Sequence, residues 1–198
     1  PGYTAEAGTL DEFADIIYPD MLRQFPQNEL KEKFIFENLI ESGRLSAFII
    51  KDGRQNAGYI SYLKTGDFIW LDYLAIFKEF HSRGLGAAAL FELKENMSRT
   101  QSAKGCFLEV EKEDLELPDT IRRVKFYNRA GAFRLPCDYL YPNRTYALEM
   151  DLFYLPFLLD KPAKEQVQKT VRDIFSVLHA DLPHAGQVYS EIVFRDSF

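Results

Sequence analysis

Two cysteines, three histidines and one tryptophan in 198 residues leave little material for metal or thiol chemistry. Cys106 and Cys137 lack CxxC spacing, and His81, His179 and His184 stand apart from them, so neither a zinc site nor a disulfide framework has its ligands. No metal is expected. Positive charge is also in deficit. The 24 Lys and Arg against 30 Asp and Glu give −6 at pH 7 and a pI near 5.2, which excludes the basic field of a nucleic-acid binder or of a protein drawn to an anionic membrane. Long apolar runs are missing too. Stretches such as Tyr73 to Phe77, and Phe153 to Leu159 with Pro156 inside it, fall far short of the roughly 20 residues needed to cross a bilayer. Pro1 to Thr4 carry neither the basic nor the apolar region of a secretion signal, from which nothing functional follows; it is the two cysteines without a disulfide framework that make a reducing, cytoplasmic setting the expectation. What is present is ordinary globular composition, 46% hydrophobic and 27% charged, enough for one sizeable core.

Residues 9 to 42 read as two helices. Thr9 or Asp11 can cap the first, which runs to Arg23, and after Pro26 a second run places Leu30, Phe34, Leu39 and Ile40 among charges before Gly43 ends it. The pattern then becomes β-rich: Leu45 to Ile50, Gly58 to Leu63 and Phe68 to Phe77, separated by turns at Asp52-Gly53 and Gly66-Asp67, predict an antiparallel three-stranded meander. A helix from Leu85 follows, with Ala89, Leu93 and Met97 at four-residue intervals, then a strand at Gly105 to Glu111. A right-handed crossover makes strands 68–77 and 105–111 parallel neighbours or nearly so. A helix from Asp119 to Ala130 stops at Gly131, and two strands near Ala132 to Leu135 and Tyr146 to Tyr154 close the core. Residues 1–160 thus form the main domain. Residues 161–198 are an extension, with Val167, Val171, Ile174, Phe175 and Leu178 at helical spacing and a final strand expected within Gln187 to Phe194. It packs on the same domain or on a partner in a homodimer.

The most informative segment is Leu74-Ala75-Ile76-Phe77-Lys78-Glu79-Phe80-His81-Ser82-Arg83-Gly84-Leu85-Gly86-Ala87. A strand that ends in a Gly-containing turn opening a helix aims several backbone N–H groups at one spot, where the helix dipole adds partial positive charge. That is a phosphate site. Gly84 and Gly86 let the backbone approach an anion, and Arg83 adds a charged donor; the same glycines also serve plain packing in many turns.

The order of helices, meander, Gly turn, helix, strand and closing strands resembles the Gcn5-related N-acetyltransferases, the GNAT superfamily, over residues 9 to 154. Arg83-Gly84-Leu85-Gly86 is similar to that family's pyrophosphate loop, with His81 where Gln or Arg is usual. Phe126-Tyr127-Asn128-Arg129-Ala130-Gly131-Ala132-Phe133 is similar to its Phe-Tyr-x-x-x-Gly-Phe segment, with Ala132 where Phe is common. Leu108 to Glu111, Arg122 to Tyr127 and Asp138 to Pro142 further resemble a bacterial subgroup. The resemblance implies an α/β fold of the α+β type, a mixed central sheet flanked by helices with a C-terminal helix-strand extension. It implies an acetyl-CoA-dependent N-acetyltransferase acting by direct transfer on a primary amine of a small molecule or peptide. A non-catalytic acyl-CoA-binding regulatory module is the alternative. The cofactor is expected along Leu74, Ala75 and Ile76 and on His81, Ser82, Arg83, Gly84, Leu85, Gly86 and Ala87, with Asn128 nearby.

Transfer to an amine needs a base for the amine proton, donors for the carbonyl oxygen and an acid for the departing thiolate. Backbone N–H groups of Leu74 and Ile76 are the expected donors. The matching tyrosine in the family makes Tyr127 the candidate acid, with a core aromatic beside Ile121 and Val124 as the other reading. Glu111 and Glu109, which share a strand face, rank above Asp72 as base, and each has a solvated carboxylate as its alternative. From Glu109 to Asp119 six acids face one base, Lys112, which favours a cationic acceptor such as a polyamine, an aminoglycoside or a basic peptide terminus; a solvated loop is the plainer account.

Overall fold

Thr9 is the cap that opens the first helix. Its hydroxyl accepts from the Glu12 N–H at 3.1 Å, and the Glu12 carboxylate accepts from the Thr9 N–H at 2.9 Å, a reciprocal capping box. In the computed structural model, which describes residues 3–27 and 30–196, this start leads through α1 (Leu10–Glu12), a π-helical turn (Phe13–Ile17) and α2 (Tyr18–Gln24) to α3 (Lys33–Glu41). The chain divides into two compact units, Pro1–Lys64 with Leu71–Leu93, and Thr65–Trp70 with Lys94–Phe198.

In the first unit β2 (Leu45–Asp52) pairs antiparallel with β3 (Gln55–Thr65), Leu45 opposite Leu63 and Phe48 opposite Ile60. The turn between them rests on Gly53 at φ +63°. β4 (Phe68–Ile76) follows β3 in the strand order, and its segment Leu71–Ile76 lies in this unit. The meander therefore stands where the sequence places it. One strand was not anticipated: β1 (Tyr3–Ala7) pairs antiparallel with β2, Ala7 opposite Phe48. Its Thr-Ala-Glu-Ala stretch has weak strand propensity, and pairing with a distant strand supplies what local preference does not. Phe13, Ile17, Met21 and Phe36 are buried, and the Phe13 and Phe36 rings meet at 5.6 Å. Gly58 allows β3 to approach β4, since a Cβ there would strike the Ala75 carbonyl and lie 2.9 Å from the Ile76 Cα.

In the second unit the order β5-β8-β7-β9 joins β5 (Gly105–Glu111), β8 (Ala147–Pro156), β7 (Cys137–Pro142) and β9 (Val193–Phe194), all antiparallel. The two-residue β6 (Phe133–Arg134) also pairs with β8. β7 is a correction: two closing strands were expected and three exist. Cys137-Asp-Tyr-Leu-Tyr-Pro142 carries an acid and ends in proline, which hid an alternation that buries Cys137 and Tyr139 and exposes Asp138. Phe68 and Trp70, the part of β4 in this unit, pack their rings on Phe107 at 5.1 and 6.2 Å. α5 (Pro118–Arg129) ends at Gly131, φ +91°, whose N–H bonds the Asn128 carbonyl at 3.0 Å.

α6 (Lys164–Leu178) buries the expected stripe Val167, Val171, Ile174, Phe175 and Leu178, and Phe175 meets Tyr139 of β7 edge-on at 6.2 Å. The strand expected across Gln187 to Phe194 is a second correction. Ala185–Glu191 is helix α7, and only Val193–Phe194 is strand. The buried set Ala185, Val188 and Ile192 has helical spacing, with Ser190 exposed between them. Mostly antiparallel strands with helices against them give the mixed α/β class expected.

Candidate functional site

The glycine turn lies in the first unit. After β4 a short 3-10 turn, Lys78–Phe80, leads to Ser82 at φ +62° and Gly84 at φ +77°, then to α4 (Leu85–Arg99). The Ala88 N–H bonds the Gly84 carbonyl at 3.0 Å, so Gly84 caps the helix and the N–H groups of Leu85, Gly86 and Ala87 precede the first intrahelical bond. Nothing stands within 4 Å of where a Gly84 Cβ would project. Left-handed residues followed by a helix start form the kind of N–H concavity that binds an anion, and the open space fits a pyrophosphate such as that of acetyl-CoA. Leu85, Phe80 and Ala57 form the buried base under the turn.

Two side chains brace it. His81 Nε2 lies 2.8 Å from the Ile76 carbonyl, so the residue that departs from the family pattern ties the turn back to the end of β4. Arg83 is also held: its guanidinium reaches Asp52 at 3.2 Å and the Glu79 carbonyl at 3.2 Å, and lies 4.9 Å over the Phe80 ring. Gln24 of α2 adds a long contact of 3.4 Å to the same Ile76 carbonyl. Ala75 is buried, while Leu74 and Ile76 are half-buried.

Asp72 is the unusual carboxylate of this unit. Its Oδ2 is sealed from solvent and has no hydrogen-bond partner among the described residues. Burial pushes its pKa up from 3.8 to about 7, against the pull of the Lys31 ammonium. Lys31, only 7% exposed, was not singled out in the sequence; it lies 41 positions from Asp72 in a short connection, and only folding joins them.

The remaining candidates lie in the second unit. Tyr127 of α5 is 8% exposed, its ring edge-on to Phe126 at 5.0 Å, and burial raises its pKa to about 12. Its phenol keeps its proton at neutral pH. Asn128 is exposed one position on. Glu111 is ion-paired with Arg123, and Glu109 accepts a hydrogen bond from the buried Tyr139 hydroxyl. Both carboxylates ranked first as bases are thus engaged, whereas Asp72 keeps a bare oxygen. Strand alternation revealed their shared face but not the basic and phenolic groups that α5 and β7 bring to it. In the acidic stretch Asp119 pairs with Arg122, while its one base, Lys112, is taken up by Glu149 of β8 at 2.6 Å. Among the described residues no group of three or more His, Cys, Asp or Glu is placed to hold a metal, and no helix is long and apolar enough to cross a membrane.

Comparison with known proteins agrees with this geometry. The YjbC protein of Bacillus subtilis (strain 168), assigned by name to the acetyltransferases, is 30% identical over 112 residues, 57% of this chain and 54% of that protein. The chain thus matches about half the length of that curated relative. A GNAT-family protein of Bacteroides thetaiotaomicron superposes with a TM-score of 0.71 at 21% identity, covering 88% of this chain and 97% of that one. Spermidine N-acetyltransferase of Vibrio cholerae, solved with CoA and spermine, superposes with a TM-score of 0.58 at 11% identity, covering 78% and 95%. The sequence model of the acetyltransferase (GNAT) family matches residues 10–131, well over half of the chain. The turn, the helix it opens and the Tyr127 segment all fall within or at the edge of that match, and the chain belongs to the acetyltransferase (GNAT) family.

Proposed function

We propose that the protein is an acetyl-CoA-dependent N-acetyltransferase that acetylates a primary amine of a small molecule or peptide by direct transfer. The observation that carries this reading is Asp72, a half-buried carboxylate whose Oδ2 is shielded from solvent and has no hydrogen-bond partner among the described residues, and whose pKa of about 7 suits it to take a proton from an amine near neutrality. Family membership and the N–H concavity at Ser82–Ala87 support the donor. Bound acetyl-CoA supplies an acetyl group activated as a thioester.

The chain's own residues have separable tasks. The N–H groups of Leu85, Gly86 and Ala87 hold the pyrophosphate, and His81 keeps the turn in register through the Ile76 carbonyl. Asp72 Oδ2 accepts the proton that the amine nitrogen loses as its lone pair forms the C–N bond. Tyr127 Oη supplies a proton to the sulfur, which keeps the electron pair of the breaking C–S bond and leaves as a thiol. Asp72 and Tyr127 then exchange protons with solvent to restore their starting states. Asp72 is ionised above about pH 7 and Tyr127 is protonated below about pH 12, so both hold their working forms across that interval.

The test is the pH dependence of acetyl-CoA turnover with an amine panel. With kcat/KM expressed per neutral amine, the profile is expected to rise through an apparent pKa near 7 and stay level to pH 9, and Asp72→Asn to lose both that rising limb and about 10²–10⁴-fold of the rate. Tight acetyl-CoA binding without turnover of any amine would instead establish the non-catalytic module.

A further inference from the structure

Arg83 stands in the chain between the two left-handed residues of the turn, Ser82 and Gly84, one position ahead of the residue that caps α4. A cation there belongs beside the N–H concavity, yet its guanidinium is turned elsewhere. Nη1 donates to Asp52 Oδ2 at 3.2 Å, Nη2 donates to the Glu79 carbonyl at 3.2 Å, and Cζ lies 4.9 Å over the Phe80 ring. Phe80 is buried with Leu85 and Ala57 in the base of the turn, so the surface on which the guanidinium lies is fixed. Asp52 comes from 31 positions away, at the end of β2 where Gly53 turns the chain. Its neighbour Lys51 is taken up by Glu6 of β1, and the ion pair of Asp52 is with Arg83.

A guanidinium paired with a carboxylate is close to neutral as a unit, and adds little attraction for an incoming anion. Released from Asp52, the same group offers a planar fork of N–H donors at full charge, the geometry that suits phosphoryl oxygens. The ion pair is also weak enough to open. The Arg83 and Asp52 side chains are 54% and 31% exposed, and a pair so placed contributes little to stability. Two positions of one side chain, on Asp52 without an anion and on phosphate with one, therefore lie close in free energy, and the carboxylate decides between them.

We propose that Asp52 is a latch on the donor site: it holds Arg83 away from the phosphates of acetyl-CoA and keeps the affinity for CoA nucleotides below what the N–H groups and the arginine reach together. The proposal rests on the acetyltransferase reading above and assigns a regulation to its donor site. Opening the latch exchanges the Asp52 carboxylate for a phosphoryl oxygen as the acceptor of the Arg83 N–H groups, with no covalent bond changed and no proton moved. Acetyl-CoA and the CoA product carry the same pyrophosphate, so the latch weakens both alike and closes again as the product departs, which favours release. Asp52 touches no reacting atom. It is a positioning residue that acts through Arg83.

The experiment is titration calorimetry of the full chain with acetyl-CoA, and separately with CoA, at about 0.15 M salt, for the parent, Asp52→Asn, Arg83→Met and the double variant. Asp52→Asn is expected to bind both nucleotides about two- to fivefold more tightly than the parent, the range set by opening an exposed ion pair. Arg83→Met is expected to bind them about tenfold more weakly. The double variant is expected to match Arg83→Met within about 1.5-fold, because without the arginine the carboxylate has nothing to hold and its own repulsion is screened. Should Asp52→Asn fail to fold, Asp52→Ser removes the same charge and takes its place. Weaker or unchanged binding by Asp52→Asn would overturn the latch, the weaker case making Asp52 an orienting partner of Arg83. Equal tightening with and without Arg83 would overturn it as well, leaving plain repulsion between carboxylate and donor. In each of these cases binding by the parent keeps the acetyltransferase reading, whereas a parent that binds neither nucleotide overturns both.

Discussion

Asp72 sets the needs of folding against those of chemistry on one carboxyl group. Its pKa of about 7 in the folded chain exceeds its ordinary 3.8, so the unfolded chain ionises first as pH rises. Whatever stability the protonated carboxyl contributes is complete below about pH 3.8 and is lost as pH climbs through about 7. Asp72→Asn, which cannot ionise, is therefore expected to be more stable than the parent by roughly 2–4 kcal/mol at pH 8 and about equal to it at pH 3.5, read from urea unfolding at the two pH values. A buried carboxylate that costs stability marks a candidate functional group. Tyr127 makes the complementary case. Its hydroxyl is the only part removed in Tyr127→Phe, which should lower turnover by about 10²–10⁴-fold while calorimetry finds acetyl-CoA affinity within about twofold of the parent. Unchanged turnover would remove Tyr127 from the chemistry and leave it a core aromatic. The choice among carboxylates was not legible in the sequence. Glu109, Glu111 and Asp72 all read as strand acids, and what separates them is the Arg123, Tyr139 and Lys31 that other elements bring to each.

At the scale of elements, the parts that depend on backbone geometry were the most legible. A helix start after a glycine turn is written locally in Ser82-Arg83-Gly84-Leu85-Gly86, and the structure puts Ser82 and Gly84 in the left-handed region there. Gly86→Glu places bulk and negative charge on the second residue of α4, among the N–H groups proposed to hold pyrophosphate. Titration calorimetry should find acetyl-CoA binding weakened by about 10²-fold or more, with the thermal unfolding midpoint little changed. A comparable loss of the midpoint would mean that the glycine serves packing and not the anion. Strands were less legible where the pairing partner was remote, as with β1 on β2, or where composition hid the alternation, as in β7 beside its neighbour β8. Gly105 illustrates a requirement no local pattern discloses. A Cβ there would overlap the ring of Tyr154, which cannot swing away because its hydroxyl bonds the Leu159 carbonyl at 2.8 Å. Gly105→Ala is expected to destabilise the second unit by about 1–3 kcal/mol, a cost visible in denaturant unfolding.

For the whole molecule the open matter is what residues 161–198 are for, and their contacts argue for a structural share in the second unit. α6 buries Val167, Val171, Ile174, Phe175 and Leu178, and Phe175 meets Tyr139, the same tyrosine whose hydroxyl holds Glu109. Beyond the helix, β9 pairs Cys137 with Phe194, Arg195 grips Asp138 at 2.6 and 2.7 Å, and His184 Nε2 lies 2.8 Å from the buried Asn143 carbonyl. The exposed ion pair is worth little, about 0.2–1 kcal/mol, so the apolar stripe carries the effect. Full burial of five such side chains contributes on the order of 10 kcal/mol, comparable to the whole stability of an ordinary domain. Truncation after Asp160 is therefore expected to yield a chain that is insoluble or lacks a cooperative thermal transition, measured by circular dichroism beside the parent. A truncated chain that unfolds cooperatively within about 5 °C of the parent would instead make residues 161–198 an arm for a partner copy. Size-exclusion chromatography would then show the parent as a dimer and the truncated chain as a monomer.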